Sequence, residues 1–240
     1  MTATPTLPPI KLFMDSADLA TLRQAYANPA ISGFTTNPTL MRQAGVTDYV
    51  AFARAATAAL PAKPISFEVF ADSLAGMEDE AMVIHGWGGN TYVKIPISNT
   101  AGVSTAPLIR TLAARGVAVN VTAITTLDQA RTAAEAVGGR ARSILSIFAG
   151  RIADTGVDPE PVMQAAAELA AAYSGMELLW ASPRQLFNLF QAARSGCHII
   201  TLSPELMAKL PLIGKNLDLV SLETIRMFFQ DAQASRFSLA

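Results

Sequence analysis

Apolar residues gather in eight runs of strand length, at 10–14, 31–37, 64–70, 91–97, 117–124, 143–149, 176–181 and 198–202. Longer stretches with helical spacing follow them, at 17–27, 49–60, 73–85, 101–115, 127–137, 159–173, 185–193 and 204–210. The period is about 25–30 residues, the size of one strand–helix unit. This alternation predicts an α/β chain with a parallel sheet, and eight units predict closure into a single-domain (β/α)8 TIM barrel over 10–240. An open doubly wound sheet is the second choice, weakened because no Gly-rich fingerprint follows the first run. Proline and glycine sit at element ends, so no linker divides the chain. Ser16 or Asp15 is the expected cap of the first helix. A further amphipathic stretch at 219–234 has no place in the basic barrel and is expected to cross one end or reach a neighbouring subunit. Residues 1–9 read as a loose, flexible arm without the basic region and apolar core of a signal peptide.

Composition changes the picture in three ways. Of the 240 residues, 51% are hydrophobic and 15% charged, enough for a sizeable core and for apolar surface between subunits. The net charge of −1 excludes an electrostatic case for nucleic acid or an anionic membrane. No apolar run reaches membrane-spanning length. One cysteine, Cys197, permits no internal disulfide and suits a reducing cytoplasm. With two histidines and no Cys/His cluster, no metal site is expected.

Lys94 stands out among five lysines because apolar, mostly β-branched residues flank it on both sides in the run Thr91-Tyr-Val-Lys-Ile-Pro-Ile97. Burial there strips hydration from an ammonium and favours the neutral amine, the form that attacks a carbonyl and makes a Schiff base. The ordinary alternative is a strand lysine that snorkels to solvent or pairs with a carboxylate. Barrel active sites lie at the C-terminal ends of the strands, and polar residues collect there. Asp15 and Asn37 end the first two runs, and Glu68 and Lys94 lie in the third and fourth. Asn120 and Thr122, two apart, share one face of the fifth. Ser146 lies in the sixth with Arg151 just past it, and Ser182 with Arg184 follow the seventh. A single polar strand residue is usually a satisfied core group, whereas seven at similar depth argue for one cavity.

The chemistry sorts by residue type. With Lys94 as nucleophile, breaking an aldol bond requires a carboxylate to take a hydroxyl proton, and Asp15 and Glu68 are the candidates. Glu68 and Thr122 suit a held water. Asn37, Asn120 and Ser146 offer donors and acceptors for sugar hydroxyls. Arg151 and Arg184 form an expected fork for a phosphate.

The motifs Phe-Met-Asp15-Ser-Ala-Asp, Thr35-Thr-Asn-Pro-Thr, Ser66-Phe-Glu-Val, Val93-Lys-Ile-Pro, Asn120-Val-Thr, Ser146-Ile-Phe-Ala-Gly-Arg-Ile and Ala181-Ser-Pro-Arg occur in that order. Together they resemble class I transaldolases, including the short group that contains fructose-6-phosphate aldolases. The resemblance implies Lys94 as Schiff-base lysine, Asp15 as acid/base, and Glu68 with Thr122 as holders of the catalytic water. Thr35, Asn37, Asn120, Ser146 and Phe148 are implied around the dihydroxyacetone unit, and Arg151, Ser182 and Arg184 around the phosphate. The implied reaction passes a three-carbon unit between sugar phosphates with no metal or organic cofactor. In the aldolases of the family a glutamine resembles the position of Glu68 and a tyrosine that of Phe148. Glu68 and Phe148 therefore favour transaldolase over an enzyme releasing free dihydroxyacetone. A related anionic ketose, such as a sulfonated sugar, suits two arginines equally. A sugar-phosphate-binding barrel without catalysis is the reading from another class. The lack of the long enzymes' insertions implies a homo-oligomer, decamer or pentamer rather than dimer, built through the terminal helix. Ile147, Pro183 and 210–217 depart from the family pattern.

Overall fold

In the computed structural model, which describes residues 7–88 and 90–235, eight parallel strands close into one barrel in sequence order. They are β1 (Lys11–Asp15), β2 (Ile31–Thr35), β3 (Ile65–Glu68), β4 (Thr91–Pro96), β5 (Val119–Ile124), β6 (Ser143–Ile147), β7 (Met176–Trp180) and β8 (Ile199–Leu202). β8 pairs back onto β1, Lys11 opposite Ile199, which removes both sheet edges. The (β/α)8 barrel expected from the alternation is the observed fold. The arm expected at 1–9 lies outside the described residues as far as 1–6, and 7–9 form no helix or strand.

The surrounding helices are α1 (Leu19–Tyr26), α2 (Pro38–Gln43), α3 (Tyr49–Ala59), α4 (Leu74–His85), α5 (Ala106–Ala114), α6 (Leu127–Val137), α7 (Ala149–Asp154), α8 (Glu160–Ala171), α9 (Asn188–Arg194), α10 (Pro204–Met207) and α11 (Leu217–Ser235). A 3-10 turn, Leu210–Leu212, precedes α11. Their starts follow local chemistry. In α6 the Thr126 hydroxyl accepts from the Gln129 amide while the Gln129 side chain reaches back, and Gly138, at φ 58°, ends the helix in the left-handed region.

Several boundaries differ from the sequence expectation. α1 is capped by Asp18, which accepts from Thr21 N at 2.7 Å, and not by Ser16 or Asp15. That displacement leaves the Asp15 carboxylate free to face the barrel mouth. The sixth and second strands are shorter than their apolar runs, because Phe148 and Asn37 already cap the short helices α7 and α2. The helix expected at 101–115 begins only at Ala106, after a loop closed by a Ser98–Ser104 bridge.

Two apolar clusters make the core. The larger lies between the outer faces of the strands and the helices, where alanines such as Ala53, Ala81, Ala133 and Ala166 let helices approach closely. The smaller fills the barrel itself with Phe13, Tyr92, Ala118, Ile144, Leu179, Ala181 and Ile199. Gly33 makes room for it: a Cβ there would meet the Phe13 ring at 2.5 Å. Below this plug Lys11 pairs with Glu177 at 2.7 Å. The plug matters for the site, since side chains alternate along strands and each residue two positions beyond it also points inward, toward the C-terminal mouth.

α11 is the exception to the packing. None of its residues is buried, and Leu219, Leu222, Ile225, Met227, Phe228 and Phe229 are exposed.

Candidate active site

Asp15, Glu68, Lys94, Asn120, Thr122 and Ser146 share this inward face, one or two turns of the pleat above the plug. The mouth encloses a cavity of about 350 Å³, lined among others by Asp15, Thr35, Asn37, Glu68, Lys94, Thr122, Ser146, Phe148, Arg151, Ser182 and Thr201. That size suits a small polar metabolite.

Lys94 is 7% exposed, which excludes the snorkelling alternative. Its Nζ lies 3.1 Å from Glu68 Oε2 and donates to Thr36 O at 3.1 Å. The ladder explains this pairing: Glu68 and Lys94 stand directly opposite on neighbouring strands, so their inward side chains meet. The amine thus has a carboxylate partner as well as an apolar flank.

Asp15 ends β1 beside Thr35 of β2. Thr35 Oγ1 donates to its Oδ1 at 2.9 Å, and Asn37 Nδ2 lies 3.4 Å from Oδ2. Burial raises the Asp15 pKa above the ordinary carboxyl value of 3.8, and the Glu68 charge adds to the rise. The Lys94 charge and the Thr35 and Asn37 hydrogen bonds oppose it without cancelling it. A carboxyl of this kind gives and takes protons closer to neutrality than a surface aspartate does.

Asn37 stands one turn beyond β2, where its Oδ1 accepts from Leu40 N at 3.0 Å and caps α2. Its amide is thereby oriented with the NH2 group toward Asp15. Thr122 lines the cavity, and its hydroxyl has no hydrogen-bond partner among the described residues. It is a buried hydroxyl on the cavity wall with unused hydrogen-bonding capacity.

Two expected site residues are placed otherwise. Asn120 is fully buried below the cavity floor, where its Nδ2 donates to Ser66 Oγ at 3.0 Å and its Oδ1 accepts from Ser146 Oγ at 2.7 Å. It ties three strands together and orients the Ser146 hydroxyl. Arg184 does not line the cavity. Its Nε donates to Asp154 Oδ1 at 3.0 Å, and its Nη2 pairs with Oδ2 of the same carboxylate, an exposed ion pair on the rim. Arg151 does line the cavity, with its guanidinium 5.5 Å from the centre of the Phe148 ring. The two-arginine fork is therefore not assembled in this structure; one arm of it is held by Asp154.

The side of the mouth that carries Arg151 and Ser182 is built from two segments in close contact. Ser182 has φ 58°, the left-handed region, and a Cβ on Gly150 would lie 1.6 Å from the Ser182 carbonyl oxygen. Glycine at 150 is what lets the α7 turn nest against the end of β7. Cys197, by contrast, is buried away from the cavity, and burial pushes its thiol up to about 12, which suits the inert role its sequence context suggests.

Sequence reasoning missed Thr201, Leu179 and Ala181, and Pro38, Thr39 and Leu40 at the start of α2, which also line the cavity. The available signal for Thr201 was its position two residues after Ile199, on the inward face of the last strand.

The family model for transaldolase/fructose-6-phosphate aldolase matches residues 12–239. A protein of Thermoanaerobacter sp. named "Probable transaldolase" is 32% identical over 213 residues, covering 87% of this chain and 94% of its own. Another so named, from Pelotomaculum thermopropionicum, is 34% identical over 193 residues, covering 80% and 85%. Among solved structures, 2,3-dimethylmalate lyase, a PEP mutase/isocitrate lyase superfamily member, aligns with a TM-score of 0.52 at 12% identity, covering 97% of this chain and 86% of that one. A likeness that distant speaks for the barrel alone. With the family model spanning the strands that carry Asp15, Glu68 and Lys94 and the helix that carries Arg151, the chain belongs to the transaldolase/fructose-6-phosphate aldolase family.

Proposed function

We propose that the protein is a class I transaldolase that moves a dihydroxyacetone unit from a ketose phosphate, fructose 6-phosphate or sedoheptulose 7-phosphate, to an aldose phosphate. The observation that carries this reading is a nearly buried lysine amine and a proton-transferring carboxyl, Lys94 and Asp15, on the walls of one small cavity. In the proposed sequence the Lys94 amine adds to the ketose carbonyl and loses water to form an iminium. Asp15 takes the proton of the hydroxyl beside the scissile bond, the carbon–carbon bond breaks, and its electrons pass into the iminium to leave an enamine. The aldose phosphate departs. An incoming aldose phosphate is attacked by the enamine while Asp15 returns the proton, and water then hydrolyses the new iminium. Glu68, next to Nζ, and the unpartnered Thr122 hydroxyl are suited to hold that water. Thr35, Asn37 and Ser146 face the three-carbon unit, with Asn120 acting through Ser146. Arg151 and Ser182 take the phosphate, joined by Arg184 if its pairing with Asp154 is exchanged for the substrate.

The Phe148 ring on the cavity wall favours transfer over release of free dihydroxyacetone, because it offers no hydroxyl to carry water or a proton to the enamine. Phe148→Tyr is expected to raise free dihydroxyacetone relative to transfer product, and Glu68→Gln to slow turnover about tenfold or more. Product analysis with and without erythrose 4-phosphate, over a panel of ketose phosphates and one ketose sulfonate, reads both. Rapid dihydroxyacetone release by the unaltered enzyme without an acceptor would overturn the transferase assignment in favour of an aldolase, and an unchanged ratio in Phe148→Tyr would remove the support that Phe148 lends it.

The uncovered apolar face of α11 supports a homo-oligomer, a decamer or pentamer, in which another copy covers that helix. Sedimentation of the full chain is expected to give the oligomer, and truncation before Leu217 to give smaller species. A monomer in the intact protein would refute the arrangement.

A further inference from the structure

We propose that Thr201 is a positioning residue for the acid/base Asp15, acting through Thr35 as the outer member of a one-directional hydroxyl chain. Its catalytic meaning rests on the function proposed above; the chain itself rests on geometry. Thr35 Oγ1 lies 2.9 Å from Asp15 Oδ1 and 2.6 Å from Thr201 Oγ1. A threonine hydroxyl has one proton, and an ionised carboxylate only accepts. The Thr35 proton is therefore committed to Asp15, and the Thr35–Thr201 contact is a hydrogen bond only if Thr201 is the donor. Direction is thus forced: Thr201 to Thr35 to Asp15. Both threonines are nearly buried, Thr35 at 4% and Thr201 at 6% exposure, where such chains polarise one another and water competes little.

Two consequences follow. Oδ1 is occupied and turned toward the β2–β8 wall, so the proton exchanged with a substrate lands on Oδ2, whose contact with Asn37 is long at 3.4 Å. The chain also stabilises the ionised carboxylate against the burial that raises its pKa. The other charged groups acting on Asp15 are Lys94 from β4 and Glu68 from β3, with Arg151 of α7 on the same cavity. Among the described residues none of them is hydrogen-bonded to Thr201, whose hydroxyl meets Thr35, so a change at Thr201 reaches the carboxyl through Thr35.

The test is the titration of the Asp15 carboxyl, followed by carbon-13 NMR of the full-length protein and assigned with Asp15→Asn. Thr201→Val keeps the β-branched shape and removes the donor. The Asp15 titration is expected to move up by about half to one pH unit, a hydrogen bond's worth of ion stabilisation. Thr201→Ser, which keeps the hydroxyl, is expected to restore the wild-type midpoint, as a purely structural role for the methyl group would not. The acid limb of kcat/KM should move in the same direction in Val and return in Ser. An Asp15 midpoint unchanged in Thr201→Val, or moved equally in Val and Ser, overturns the proposal. The NMR readout needs no turnover. If borohydride traps no adduct on Lys94 the transaldolase reading falls, while the midpoint still decides the role of Thr201.

Discussion

Lys94→Met is expected to reduce turnover by more than about 10⁴-fold, because in the proposed mechanism the Lys94 amine is the group that bonds to the ketose. The methionine side chain fills the same space, so the loss reflects the amine and not a hole in the barrel. Borohydride added with fructose 6-phosphate is expected to inactivate the parent enzyme irreversibly and to add the reduced sugar mass to the peptide carrying Lys94; the variant should gain no mass. The same substitution has a cost in stability. Lys94 sits 3.1 Å from the Glu68 carboxylate and attracts that of Asp15, and its removal leaves two nearly buried acids facing each other. Breaking a buried ion pair from one side costs on the order of 3 kcal/mol at neutral pH. That penalty should shrink on acidification, as the Asp15 carboxylate, whose pKa is already raised, takes up its proton. Trapped adduct on a residue other than Lys94 would overturn the assignment of the nucleophile. Thermal unfolding across pH reads the second effect.

Asp15→Asn has effects of opposite sign on activity and stability. In the proposed mechanism carbon–carbon cleavage needs the ionised carboxylate, so the variant is expected to lose about 10²–10⁴-fold in kcat, the usual reach of general acid–base catalysis. The adduct on Lys94 should still form, since the amine and its flank are intact. Stability follows from the direction of the pKa shift. The folded-state value is raised above 3.8, chiefly by burial. The folded protein therefore holds the proton more tightly than the unfolded chain. The favourable contribution of Asp15 is complete below the ordinary aspartate range and is lost as pH rises from there through the raised folded value. At neutral pH its ionised form costs stability. Asparagine keeps the shape and the acceptor for Thr35 without the charge, so the melting temperature should rise at pH 7 and the difference should vanish toward acid pH. For the unaltered enzyme, the acid limb of kcat/KM is expected above 3.8. A destabilised Asp15→Asn at neutral pH, with normal folding, would show that the carboxylate is held for structure.

How far the site was legible in the chain depends on the range of the forces that place each residue. Side-chain direction along a strand is local, with a period of two. Glu68, Lys94, Thr122 and Ser146 could therefore be assigned to one face from their spacing within short apolar runs, and the mouth of an eight-strand barrel is where such a face leads. The N-cap of α1 was misread by two or three residues because Asp15, Ser16 and Asp18 all have capping side chains. Tertiary packing chose Asp18 and spared Asp15.

The sequence by itself determined the eightfold strand–helix period, the barrel that this period closes into, and the strand ends at which polar residues gather, since these follow from alternation and turn chemistry within about 30 residues. Only the tertiary structure decided which of those residues meet. Thr201 reaches Thr35 across 166 positions because the last strand closes beside the first. Asn120 sinks beneath the cavity because its amide is satisfied by hydroxyls of Ser66 on β3 and Ser146 on β6. Arg184 turns to Asp154 because a carboxylate one helix away offers both its oxygens. Hydrogen bonds and ion pairs of this kind are selected by distance in space, which chain spacing does not encode.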